Sequence, residues 1–132
     1  MQRLLDTNTC IYYLNQVSEN LIVQFRKFSP SGIKLSSITV AELFFGVEKS
    51  SAKKKNRAIV ESFVSTFEII PFDEASSMTY AKIRASLEKK GTPIGPMDLL
   101  IASISMTYNL ILVTNNTKEF SRIGKLKLEN WL

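Results

Sequence analysis

The chain contains no histidine and only one cysteine, Cys10. The first absence removes every Ser-His, Cys-His and histidine-based acid/base mechanism. Together they exclude a disulfide framework and argue against a zinc site. Long apolar runs are missing too. The most hydrophobic region, residues 99–113, is interrupted by Ser103, Ser105, Thr107, Tyr108 and Asn109, which is not the pattern of a membrane span. The opening M-Q-R-L-L-D meets an acid after two leucines and does not read as a secretory signal, so a cytoplasmic location is expected. Any chemistry must therefore come from carboxylates, hydroxyls, amides, lysines and arginines, or from a bound ion.

What is present is enough for one globular domain. At 132 residues the chain can bury a core but is too short for two, so a single domain over 1–132 is expected. No low-complexity tract argues for disorder. Seventeen Lys and Arg against twelve Asp and Glu give a net charge of +5. That excess suits a polyanion, because each neutralised phosphate releases counterions. It equally suits an acidic protein partner, or plain solubility.

The organising stretch is Arg3-Leu4-Leu5-Asp6-Thr7-Asn8, an apolar run that ends on an acid. It predicts a strand delivering Asp6 to its C-terminal edge. Short helices are expected from Thr9 to Asn15 and from Leu21 to Phe28, the second stopped by S-P-S-G. Residues 33–38 alternate as a second strand, and a helix opens at Thr39-Val-Ala-Glu42. A polar, basic turn covers Ser50 to Arg57 and precedes a helix from Ala58 to Phe67. Glu68 to Phe72 reads as a third strand, with Pro71 at an edge or strand end. A long helix to Lys90 follows. After the loop G-T-P-I-G-P, Pro96 suits the first position of a central helix running to Thr107. Leu110 to Val113 is a buried strand ending on Thr114-Asn115-Asn116, and the alternating tail suggests a last short strand. Strands separated by helices imply parallel pairing, with ligands bound outside the carboxyl ends of the strands.

Asp6, Glu42 and Asn115-Asn116 all fall just past such ends. Each acid also has a purely structural explanation. Asp6 sits where a helix cap is needed, Thr39-x-x-Glu42 has the form of a capping box, and Asp98 occupies a first turn favoured by the macrodipole. Convergence would change the balance. Two carboxylates 5 Å apart repel by about 3 kcal/mol at an effective dielectric of 20. Three in one cleft would take up protons or hold a hard cation, Mg²⁺ or Mn²⁺, and such a site on a basic protein points to phosphodiester chemistry.

Four segments carry a resemblance: L-L-D-T-N at 4–8, S-S-I-T-V-A-E-L-F-F-G at 36–46, I-G-P-M-D-L-L-I-A at 94–102 and L-V-T-N-N-T-K-E-F at 112–120, with E-N-W near the end. In this order and spacing the chain resembles the PIN-domain ribonucleases, and within them the VapC toxins of bacterial toxin–antitoxin pairs. The resemblance implies a three-layer α/β/α sandwich on a mainly parallel sheet, with the acids at one end. Asp6, Glu42 and Asp98 then correspond to the metal-site carboxylates, with Asp6 and Asp98 as direct ligands. Thr7, Asn8 and Thr114 are the supporting polar residues. The family often has another acid at the position of Asn116. Either Glu119 supplies that charge or Asn116 contributes an amide oxygen, and one ion or two stays open with it.

Proteins of this type are endoribonucleases that stop translation, several by cutting tRNA anticodon stem-loops, and initiator tRNA is the substrate expected from the resemblance alone. They form homodimers held inactive by a smaller, VapB-like antitoxin. Lys53, Lys54, Lys55, Arg57, Arg84, Arg122 and Lys125 are candidates for RNA contact. Against the nuclease stand three rivals. The first is an aspartyl-nucleophile phosphatase or phosphotransferase built on Asp6. The second is a decayed module that only binds RNA or protein, for which Asn116 speaks. The third is a structural dimer subunit using Tyr12, Tyr13, Phe44 and Phe45, although aromatic doublets at helical positions are more often core.

Overall fold

The computed structural model describes residues 1–132. Five short strands, β1 (Arg3–Leu5), β2 (Ile33–Ser36), β3 (Glu68–Ile70), β4 (Ile111–Val113) and β5 (Leu128–Glu129), alternate with seven helices. These are α1 (Thr7–Leu14), α2 (Glu19–Phe28), α3 (Ser37–Lys49), α4 (Lys53–Val64), α5 (Glu74–Lys90), α6 (Pro96–Thr107) and α7 (Thr117–Phe120). The sheet order is β3-β2-β1-β4-β5, and every pairing is parallel. The expected mainly parallel sheet is parallel throughout.

Consecutive side chains on a strand point to opposite faces, and the two cores follow from that. Leu5 and Val113 pack with Leu21, Phe25, Leu43, Val60 and Phe63 under α1 to α4. Their neighbours Leu4 and Leu112 pack with Ile83, Leu87, Ile101 and Ile104 under α5 and α6. One sheet between two helical layers is the expected three-layer sandwich. No helix is long and apolar enough to cross a membrane.

Several boundaries differ from the sequence reading. β2 stops at Ser36, whose hydroxyl accepts the Thr39 amide hydrogen and caps α3. Thr39 is thus a first-turn residue, buried completely, and no capping box with Glu42 forms. The basic segment at 53–57 is the start of α4 instead of a turn. Lysine and arginine are good helix formers, and Val60 and Phe63 dock the helix on the core, so tertiary packing outweighs an uncapped start. Pro71 directly follows β3, an edge strand. Gly91 ends α5 with φ of 69°, a left-handed cap that glycine adopts without a Cβ clash. Tyr12, Tyr13 and Phe44 pack against the core, whereas Phe45 is 63% exposed, contrary to the expectation that both aromatic doublets are core.

Candidate active site

β1 lies between β2 and β4, so the connection from β1 to β2 runs to one side and the later crossover from β3 enters β4 on the other. This is a topological switch point, and the crevice beyond the carboxyl ends of β1 and β4 is where an open parallel sheet binds ligands. Asp6 stands at the end of β1 and Thr114 at the end of β4. α3 brings Glu42 from one side and α6 brings Asp98 from the other.

Asp6 is only 4% exposed. Its Oδ1 accepts the Thr9 amide at 2.9 Å, which caps α1. Burial raises its pKa, while the Thr114 hydroxyl and the Thr9 groups beside it pull in the opposite direction. The capping function expected as an alternative is therefore real, and it leaves the second carboxylate oxygen for another partner. Thr7 donates its hydroxyl hydrogen to Glu42 Oε1. Thr39 Oγ1 lies 3.2 Å from the same Thr7 oxygen. A hydroxyl has one hydrogen to give, so Thr39 donates to Thr7 and Thr7 donates to Glu42. Glu42 thus hangs on a relay of two threonines that starts in the core.

Asp98 carries the clearest electrostatic signature. Its pKa is pushed up to about 6, first by burial and then by the charges of Asp6, Glu119 and Glu42, with an Asn116 hydrogen bond opposing. Four carboxylates from four segments therefore share one field. Glu119 behaves differently. Gly95 N–H donates to its Oε1 at 2.7 Å and Asn116 Nδ2 to its Oε2 at 3.0 Å. These bonds, with Arg122 nearby, hold its carboxyl below its ordinary range. A Cβ built on Gly95 would stand 3.7 Å from Glu119 Oε1 and 3.8 Å from Asp98 Oδ2, so both carboxylates flank this one glycine. Glu119 is pinned by two donors, one of which, Asn116, also lowers the Asp98 pKa.

The donor set is all oxygen, mutually repelling and partly buried, which fits a hard divalent cation. No three carboxylates are drawn together into a ready-made cage.

The other sequence candidates divide. Thr7 and Thr114 join the network. Asn8 is exposed on the first turn of α1, and its side chain makes none of the hydrogen bonds around the carboxylates. Lys53, Lys54 and Lys55 are exposed at the start of α4. Arg57 is paired with Glu48, and Arg84 bonds Glu88 at 3.0 Å and the Tyr80 hydroxyl at 2.9 Å, so both are already engaged. Arg122 donates to Pro93 O at 2.7 Å and interacts with Glu119. Sequence reasoning passed over Thr39, Thr9 and the Gly95 amide. Thr9 Oγ1 donates to Val113 O at 3.2 Å and ties α1 to β4. A threonine three residues after a strand-end acid was the available signal for it, whereas Gly95 N meets Glu119 only in three dimensions.

The PIN domain family matches residues 3–126. The chain is 41% identical over 128 residues to the tRNA(fMet)-specific endonuclease VapC of Salmonella typhimurium, covering 97% of this chain and 96% of that one. It is 43% identical over 129 residues to ribonuclease VapC2 of Rickettsia felis, with the same coverage. Among solved structures it superposes on VapBC2 of Rickettsia felis bound to a promoter DNA fragment, with a TM-score of 0.92, 42% identity and complete coverage of both chains.

Proposed function

The chain belongs to the PIN-domain family as a VapC-type ribonuclease toxin of a toxin–antitoxin pair, and from that premise we propose that it is a divalent-metal-dependent endoribonuclease acting at the crevice beyond β1 and β4. The observation that carries this reading is the convergence of Asp6, Glu42, Asp98 and Glu119 on one crevice, where burial first and then the charges of Asp6, Glu119 and Glu42 push the Asp98 pKa up to about 6. A site that keeps like charges under mutual repulsion is arranged for a cation.

Asp6, through the oxygen not used to cap α1, and Asp98 are the ligands, with Glu42 beside them. Bound Mg²⁺, or Mn²⁺ in its place, supplies charge neutralisation at the scissile phosphate and a more acidic water. Glu42 Oε1 is held by Thr7, which leaves Oε2 to accept a hydrogen bond from the attacking water and aim it in line. Thr114 fixes the Asp6 carboxylate. Glu119 acts as a positioning residue, because its oxygens hold Gly95 and Asn116 and so set the entry to α6 on which Asp98 rides. With an amide instead of a carboxylate at 116, the site has one formal charge fewer than a version with an acid there and suits a single tightly held ion.

The substrate proposed is tRNA, with initiator tRNA first, since the Salmonella relative is described as specific for tRNA(fMet). The partners proposed are a VapB-like antitoxin and a second copy of the chain. The Rickettsia structure is a VapBC2 complex on promoter DNA, which supports the antitoxin. An aspartyl-nucleophile reading fits poorly, because Asp6 is followed by Thr7 and Asn8, with no second acid two residues on to assist it.

The test is cleavage of pooled bacterial tRNA with Mg²⁺, with Mn²⁺ and with EDTA, beside Asp6→Asn. Discrete fragments that require metal and Asp6 are expected. RNA bound at low salt but never cut would instead favour the binding module that Asn116 suggests.

A further inference from the structure

A second feature lies where the carboxylate site ends. Arg122 interacts with Glu119, and it also lines a groove of about 440 Å³ between α5 and the segment after α7. Lys82, Lys90 and Lys125 complete the rim, over a floor that includes Leu87 and Met106. No carboxylate lines this groove, and none of the four cations takes part in an ion pair. Of the chain's seventeen Lys and Arg, Arg3, Lys34, Arg57 and Arg84 are the four paired with a glutamate, so what marks the groove is the clustering of its four cations around one hollow.

The sequence places these charges deliberately on one side. Lys82, Ser86 and Lys90 are four residues apart and share one face of α5, with the two lysines about 12 Å apart along the axis. The same helix puts Arg84 and Glu88 on another face, where they pair with each other. Four like charges around one hollow repel unless an anion lies between them. The groove offers no aromatic ring for stacking and no Asn, Gln, Asp or Glu to read a base edge. Lysine and arginine can also meet guanine edges, but four clustered cations without an aromatic platform suit a run of phosphates best.

We infer that this groove binds the phosphate backbone of the RNA that flanks the scissile bond, independently of sequence, with Arg122 joining it to the carboxylate site. The inference rests on the ribonuclease reading for the identity of the polyanion. It adds Lys82 and Lys90 to the RNA-contacting surface and excludes Arg84.

The test compares Lys82→Glu/Lys90→Glu with a charge-matched control, Lys27→Glu/Lys49→Glu, placed on α2 and α3. Binding of a labelled tRNA-length RNA is measured in EDTA across a salt series, so that cleavage plays no part. The groove variant is expected to bind at least 10-fold more weakly, and its log–log salt slope to fall by about 1.4, the value for two single-strand phosphate contacts. The control should shift affinity far less and leave the slope alone. In parallel, wild type and groove variant are assayed on an oligonucleotide of a few nucleotides, which reaches only the carboxylate site. Equal cleavage of the short substrate, with slower cleavage of the long one, is expected. Equal loss of binding in both double variants, or wild-type binding by the groove variant, would overturn the inference. Failure of the wild type to cut any RNA would count against the nuclease instead, and the EDTA binding comparison would still decide the groove. Lys82→Gln/Lys90→Gln, which introduces no new charge, should show the same slope change if the glutamates impair folding.

Discussion

Glu119 Oε1 accepts the backbone N–H of Gly95 at 2.7 Å, a bond across 24 positions of sequence that anchors the entry to α6. Its other oxygen accepts Asn116 Nδ2. Removing the acceptor while leaving both donors costs more than a solvated hydrogen bond is worth. Glu119→Ala should therefore destabilise the metal-free protein by about 1–2 kcal/mol and slow cleavage by displacing Asp98. Glu119→Gln keeps an oxygen for Gly95, lets Asn116 turn its amide, and should restore most of both. Thermal melts in EDTA and initial cleavage rates separate the two variants. Equal damage from both would show that charge matters here, and not hydrogen bonding.

The repulsion on Asp98 predicts a trade between stability and activity. Asp98→Asn should cut cleavage at least 100-fold, yet raise the melting temperature of the metal-free protein at pH 7. A shift from 3.8 to about 6 corresponds, after discounting for partial exposure, to about 1–2 kcal/mol. That is a few degrees for a domain of this size. A lower melting temperature would mean that Asp98 is held by favourable partners.

The same shift sets a pH dependence of definite sign. Asp98 has a folded-state pKa above its unfolded value, so its contribution to stability is fully present below about 4 and is lost as pH rises through about 6. The advantage of Asp98→Asn over wild type in EDTA should thus be absent near pH 4 and complete above pH 7. Mg²⁺ must compete with that proton, so its stabilisation of the wild type should be larger at pH 7 than at pH 5. Calorimetry at the two pH values, with and without metal, checks both halves.

Thr7→Val removes the donor to Glu42 with little change of volume. About a 10-fold fall in kcat is expected, with KM unchanged, because the carboxylate is positioned and not deleted. Thr7→Ser, which keeps the hydroxyl, should recover the rate. If valine acts mainly on KM, the threonine relay serves RNA binding instead.

At the start of the same strand, Arg3 bonds both oxygens of Glu129 at 2.7 and 3.0 Å and lies 3.8 Å over the Phe28 ring. Arg3→Ala should destabilise by about 2–3 kcal/mol, since a partly buried carboxylate loses its counter-charge and Phe28 its cover. Specific cleavage should persist at temperatures where the variant is folded. Glu129 is held below its ordinary range by Arg3, so this stability is present above the unfolded carboxylate pKa and lost as pH falls through the folded one. The gap between wild type and Arg3→Ala should close in acid, which melts at pH 3 and pH 7 would show.

The amino-acid sequence alone determined the local facts. An apolar run that breaks into an acid makes β1 and Asp6, and Pro96 starts α6 with Asp98 in its first turn. The absence of histidine, with a single cysteine, leaves metal ligation to oxygen donors. These features depend on neighbours a few residues away, where strand burial, caps and side-chain chemistry act. Tertiary structure decided the rest. It set Glu42 apart from a capping box, because Ser36 and the register of β2 fix where α3 begins. It turned the basic 53–57 segment into helix, because core packing by Val60 and Phe63 exceeds the penalty of an uncapped start. It brought Arg122 to a groove shared with Lys82, whereas the Arg84–Glu88 pair is an i,i+4 contact that the sequence itself carries. Charge repulsion among Asp6, Glu42, Asp98 and Glu119 exists only once the crossovers of a parallel sheet bring four distant segments to one edge, because Coulomb energy depends on separation in space and not along the chain.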